Sequence, residues 1–217
     1  MVAAWGLVIP LALGAAVSPA LLTLQLLILS GPKHQVARAW AYTLGVALTV
    51  VLFIVLIATV GRGLVLASGN EDVVARAVKL AAAAGLAFLG VHTLRRPPKS
   101  EDSHSRLADA PTLAFVPVGF GAMWLNLSSL VLMLPAVHVA VNSAAPVDQT
   151  VAMLVLIGLC ALAPALVPAL VVTVLGKKRS APLLARLNGF TQAHSAQINA
   201  GICFLFAVLL LVSAIRG

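Results

Sequence analysis

The run V2-AAWGLVIPLALGAAVSPALLTLQLLILSG-P32 contains no formal charge over its whole length, and it is interrupted by Gly14 and by the pair Ser18-Pro19. It exceeds the roughly 20 apolar residues that a helix needs to cross a bilayer, yet it carries helix-disturbing residues in its middle. A second run of the same kind, Pro111 to Val147, is interrupted by Gly121 and by Trp124-Leu125-Asn126. In each, a Gly stands five residues before the proline or the strongly polar residue. Unwound backbone is tolerated at membrane depth only where it lines a cavity or is buried in protein, so a broken apolar run repeated in two halves of a chain points to a transporter's binding region.

The composition requires a membrane setting. With 61% hydrophobic and 9% charged residues and a mean hydropathy of +1.08, the chain lacks the polar surface that a soluble core needs. Its 217 residues accommodate one transmembrane domain of about six helices, because a span with its connection uses roughly 30 to 40 residues. The expected spans lie near 3–30, 39–60, 74–94, 112–144, 149–175 and 198–215. In the third, Glu71, Asp72, Arg76 and Lys79 crowd the start, so its cations must snorkel. No room remains for a soluble catalytic domain. The amino-terminal run lacks a basic n-region and outlasts a typical signal h-region, so it reads as a retained span.

Ten of the fourteen basic residues fall in the connections after spans one, three and five: Lys33, Arg38, Arg95, Arg96, Lys99, Arg106, Lys177, Lys178, Arg179 and Arg186. These loops are expected to be cytoplasmic, with both termini outside. The net charge of +8 follows from that asymmetry. Dispersed over three loops, the cations form no nucleic-acid patch. The Pro-, Ser- and charge-rich stretch 96–111 reads as a cytoplasmic linker between 1–95 and 112–217. Three spans per half invert the second half relative to the first, so homologous halves would form two inverted three-helix repeats, each with a broken first helix. Leu13-Gly14-Ala15 aligns with Phe120-Gly121-Ala122, Leu44-Gly45 with Ile157-Gly158, and Gly85 with Gly201. Glycines that merely let helices pack closely would give the same matches.

Gly14-Ala15-Ala16-Val17-Ser18-Pro19-Ala20, the basic turn Gly31-Pro32-Lys33, and Ala41-Tyr42-Thr43-Leu44-Gly45 resemble the first two spans of the lysine-exporter superfamily. Within it the chain most resembles the GAP/Sap family of glycopeptidolipid- and sulfolipid-addressing proteins. The resemblance extends through the polar central stretch, Trp124-Leu125-Asn126 and the segment before the last span. It implies a small six-helix transporter in a bacterial cytoplasmic membrane that exports a cell-envelope lipid, a glycolipid or a lipid-linked glycan. Ser-Pro and Leu-Asn stand where the amino-acid-exporting branch tends to carry a Pro-rich and an Asn-Pro motif, which argues against an amino-acid substrate.

The candidate substrate-binding residues are Ser18, Pro19, Gln25, Trp124 and Asn126. Pro19 inside a span would leave the Ala15 carbonyl without its helical donor, a gap that either Ser18 or a ligand fills. Asn126 is either a ligand or an interhelical amide, and Gln25, two turns past Pro19, either lines the same space or packs. Pro164 and Pro168 share one helix face and predict a bend, whether a gate or a static kink. Trp40 and Tyr42 read as an interfacial anchor.

Every acidic residue lies in a loop or at a span end. Divalent-cation export and a carboxylate proton relay are both disfavoured on that ground. His138 is the remaining relay candidate, with hydrogen-bonded packing as its alternative. Cys160 and Cys203 have no counterparts in the first half, so a thiol–disulfide carrier is disfavoured too. No nucleophile–base arrangement or metal-ligand spacing stands out, and neither enzymatic activity nor a cofactor is expected. Lys177 to Gln197 places Leu183, Leu184, Leu187 and Phe190 against Arg186, Asn188 and Gln192, which predicts an amphipathic helix on the cytoplasmic surface whose Lys177, Lys178, Arg179 and Arg186 attract lipid headgroups. The expected partners are membrane lipids and a lipid substrate. An amino-acid-like metabolite exporter and a non-transporting adaptor of lipid-export machinery are the alternatives, and homo-oligomerisation is left open.

Overall fold

A computed structural model describes residues 2–31, 34–68, 71–95, 110–143 and 145–216, and every regular element among them is helical. The helices are α1 (Val2–Ala15), α2 (Pro19–Ser30), α3 (Gln35–Ser68) and α4 (Glu71–Arg95), followed by a 3₁₀ turn (Thr112–Ala114), α5 (Phe115–Leu125), α6 (Leu127–Asn142) and α7 (Val147–Arg216). Four segments are long and apolar enough to cross a bilayer unaided: Gln35–Val60, Val73–Val91, Val147–Gly176 and Gln197–Ile215. Two further spans arise if α1–α2 and α5–α6 each count as one, bent by 45° and 72° respectively. These lie on the two uncharged runs. The expected linker 96–111 falls largely outside the described residues, as does Lys33.

The first break has a local cause. Ser18 is extended (φ −125°, ψ 96°) and its hydroxyl accepts the Leu21 amide at 3.4 Å, while Pro19 takes the first position of α2. Proline suits that position, where an amide proton would have no helical partner. Pro19 therefore starts a new helix, so this run is a broken helix and not one helix kinked at a proline. The second break contains no proline. Asn126 (φ −84°, ψ 64°) gives its amide back to Met123, and its side chain bonds Ser128 and Ser129, local contacts that compete with helix continuation.

The halves interleave, with α1 against α6, α3 against α5, and α7 against α2, α3 and α4. Glycine makes the closest approach possible. A Cβ on Gly45 of α3 would run into the Val116 carbonyl, and one on Gly119 of α5 would run into the Tyr42 carbonyl. Thr49 Oγ1 crosses the same contact to the Phe120 carbonyl at 3.2 Å. Leu44, Leu48, Val51, Leu52, Val55 and Leu56 of α3 are exposed, an apolar stripe that suits acyl chains and not water. The matched glycines differ in environment: Gly14 is crowded by the Phe206 ring, whereas nothing stands within 4 Å of a Cβ on Gly121.

Backbone geometry departs from helical within α7 at Gly176 (φ 75°, ψ 161°). The helix runs through Pro164 and Pro168 without a break, and its non-helical residue is Gly176. From Lys177 to Arg216 no further break occurs. The segment expected as a separate surface helix is thus a continuous extension of the last span.

Candidate functional site

The two breaks meet. Ala15 ends α1, and Pro19 cannot supply the amide that its carbonyl would receive in a continuous helix. The donor comes from the other half: Ser129 Oγ gives its proton to Ala15 O at 3.1 Å. Asn126 Nδ2 donates to Ser129 Oγ at 2.8 Å, and Ser128 Oγ donates to Asn126 Oδ1 at 3.1 Å. Asn126 and Ser129 are buried, as is Ser18. Ser18 spends its oxygen on its own helix start and leaves Ala15 to Ser129.

Gln25 is fully buried on α2 but belongs to a second cluster. Its Nε2 donates to Ala39 O and Thr43 Oγ1, both at 3.4 Å. Thr43 Oγ1 donates to Ala39 O at 2.8 Å and lies 3.3 Å from Ala165 O on α7. Tyr42 is also buried, with its hydroxyl donating to Leu21 O at 3.4 Å. That placement corrects its expected interfacial role. Two residues along a helix turn the side chain by about 200°, so Tyr42 points inward while Trp40 stays partly exposed and donates to Thr173 Oγ1 at 3.2 Å. Pro164 and Pro168 both face the interior, on either side of Ala165.

Trp124 stands apart from Asn126: it is 42% exposed, with its ring edge-on to Phe53 at 4.7 Å. His138 is buried on α6, and its carbonyl accepts Asn142 Nδ2 at 3.0 Å. The side chains of Lys177, Lys178 and Arg179 lie outside the described residues. Arg186 is exposed, and so are Leu183, Leu187 and Phe190, whereas Ser180 and Thr191 are buried. The outer face of this extension therefore presents apolar side chains together with a cation. Phe190 stacks on His194 at 4.9 Å.

An open cleft of about 620 Å³ lies between the start of α3 and the kink of α7, lined by His34, Gln35, Val36, Ala37, Val172, Thr173 and Gly176. It contains both described residues of positive φ, His34 (49°) and Gly176. Gln35 Nε2 donates to the Gly31 carbonyl beside it. Sequence reasoning missed this cleft, and it read only a topological charge in Arg38, whose Nη2 donates to Ala110 O at 2.7 Å while its guanidinium lies 5.3 Å from the Phe115 ring centre. Arg38 thereby fastens the start of α3 to the start of the second half. Cys160 and Cys203 are free thiols. Among the described residues no three His, Cys, Asp or Glu side chains gather as a metal would require.

The family model described as "Sap, sulfolipid-1-addressing protein" matches residues 8–216, which include both breaks, the Gln25 cluster and the α7 kink. No curated protein and no solved structure matches the chain.

Proposed function

The chain belongs to the Sap, sulfolipid-1-addressing protein family, and from that premise we propose that it is a membrane transporter that moves an amphipathic envelope lipid or glycolipid across or out of a bacterial cytoplasmic membrane. The carrying observation is the bond between the two breaks, Ser129 to Ala15, inside an uncharged bundle. A transporter needs polar backbone groups at depth whose partners can be exchanged, and a carbonyl served by a hydroxyl from the opposite half has such a partner. When the halves separate, Ala15 O, Ser129 and Asn126 become available to a headgroup. The apolar exterior and the open cleft beside Gly176 suit the acyl chains.

The reading includes two inverted three-helix repeats of lysine-exporter type, each opening with a bent pair. The packing of α1 on α6 and of α3 on α5 supports it, since the first span of each half is held by the other half. With the basic connections cytoplasmic, both termini face outward. The exposed Leu183, Leu187 and Phe190 with Arg186 form a lipid-contacting platform. No enzymatic step and no cofactor enter this mechanism, and the partners are lipids.

A second reading, a non-transporting adaptor of lipid-export machinery, is favoured by one observation: within the Asn126–Ser129–Ala15 network the protein meets its own hydrogen-bonding needs. Reconstitution separates the two. In liposomes with a headgroup-accessibility assay on candidate envelope lipids, the wild type is expected to move lipid and a Pro19→Ala/Asn126→Ala variant to lose that activity. If both are equally inert with every lipid, translocation through the breaks is refuted.

A further inference from the structure

We infer that Gln25, Thr43 and the carbonyls of Ala39 and Ala165 form a site for a small monovalent cation, with Na⁺ as the fitting ion. The Gln25 amide is fully buried, and its Oε1 has no hydrogen-bond partner. Its Nε2 contacts, both 3.4 Å, are longer than the 2.7–3.2 Å of an ordinary N–H···O bond. A buried, unsatisfied amide oxygen is costly. The amide therefore fits poorly in the orientation that points Nε2 at the cluster.

Which end of an amide carries oxygen is assigned from its partners. A half-turn puts Oε1 where Nε2 stands, facing Ala39 O and Thr43 Oγ1. Oxygen then meets oxygen, an arrangement that is repulsive alone and attractive around a cation. Thr43 already donates its one proton to Ala39 O, which leaves lone pairs on Oγ1 for an ion. Ala165 O lies 3.3 Å from Thr43 Oγ1. With the amide turned, oxygens from α2, α3 and α7 stand 2.8 to 3.4 Å from Thr43 Oγ1, and Ala39 O stands 3.4 Å from Oε1.

The donor set selects the ion. All four oxygens are neutral, and the acidic side chains lie in loops or at span ends, whereas divalent cations take carboxylates among their ligands. A transition metal would require the His, Cys or carboxylate clusters that the described residues lack. Neutral carbonyl and hydroxyl dipoles are the ligands that transporters offer to Na⁺ at depth, and the short spacing disfavours the larger K⁺.

Gln25 lies two turns, about 10 Å, beyond the break at Ser18. A bound cation ties α2 to α3 and α7 and so biases the position of the break. Ion binding stands independently of the lipid reading; only its use as a driving force rests on that reading.

The test uses the full-length protein in detergent, melted by tryptophan fluorescence in NaCl, KCl or choline chloride at constant ionic strength. The wild type is expected to gain about 3–6 °C between ~1 and ~100 mM Na⁺, with little change in K⁺ or choline. Gln25→Leu and Thr43→Val should lose the Na⁺ response. Thr49→Val, which removes an equally buried hydroxyl bonded to Gly45 O and Phe120 O, should keep it. Retention of ²²Na⁺ by the wild type provides a reading that does not depend on variants folding. Identical melting in all three salts with no retained ²²Na⁺ overturns the site, whether or not the liposome assay detects lipid movement. A Na⁺ response that survives both Gln25→Leu and Thr43→Val overturns its location.

Discussion

The hydroxyl of Ser129 reaches the carbonyl of Ala15, 114 positions away in the chain, at 3.1 Å and so joins the two helix breaks. Ser129→Ala removes the donor and leaves a buried carbonyl unserved, an outcome that costs about 1–3 kcal/mol. Chemical or thermal unfolding in detergent measures it. Asn126→Ala acts through the same hydroxyl, so the double variant should be less destabilised than the sum of the single ones, with a coupling of about 0.5–1.5 kcal/mol. Strict additivity would dissolve the network into separate contacts.

Gly45 and Gly119 hold α3 and α5 at backbone contact distance. Ala at either position places a methyl against a carbonyl of the facing helix, where neither side can yield by a rotamer change. Each substitution should cost at least about 1–3 kcal/mol. Gly121→Ala is the control, with nothing within 4 Å of its Cβ, and it should be neutral or gain up to about 1 kcal/mol of helix propensity. Parallel melting curves that failed to separate the two classes would refute the close approach.

The breaks were legible because they violate a strong regularity: an uncharged run long enough to cross a membrane should not contain Ser-Pro or Leu-Asn at its centre. The span positions were legible from hydropathy for the same reason. The partner of Ala15 was not, since Ser129 is one small polar residue in an apolar helix and nothing in its neighbourhood says which carbonyl it serves. Tyr42 misled by adjacency to Trp40, although the helical turn sends the two side chains to different surroundings. Gly176 was not legible either, because its position before Lys177-Lys178 reads simply as the end of a span. The partners of Gln25 lie 14 and 18 positions away, beyond the reach of local pattern.

Arg38 is the one described cation that bonds across from the first half to the start of the second. Its Nη2 serves Ala110 O and its planar group lies against Phe115. Lys keeps the charge that sets topology but not the planar, multiply donating head. Arg38→Lys should therefore preserve orientation in a membrane-topology reporter while lowering the unfolding free energy by about 1–2 kcal/mol. An unchanged unfolding free energy would mean that Arg38 acts as a point charge alone.

Gly176 adopts φ 75° and ψ 161°, a backbone region that only glycine occupies without strain, with a cost of about 1–3 kcal/mol for other residues. Gly176→Ala should relieve that strain by shifting the backbone at the kink, which opens its angle and displaces Thr173 from Trp40. Spin labels on exposed Val167 and Leu187, one on each side of the kink, report the angle through their separation. The distance should lengthen in Gly176→Ala relative to wild type. Trp40→Phe, which removes the Trp40–Thr173 bond but leaves the glycine, should cost only about 0.6 kcal/mol and leave the label distance unchanged. If Trp40→Phe alone reproduces the longer distance, the hydrogen bond and not the glycine holds the kink.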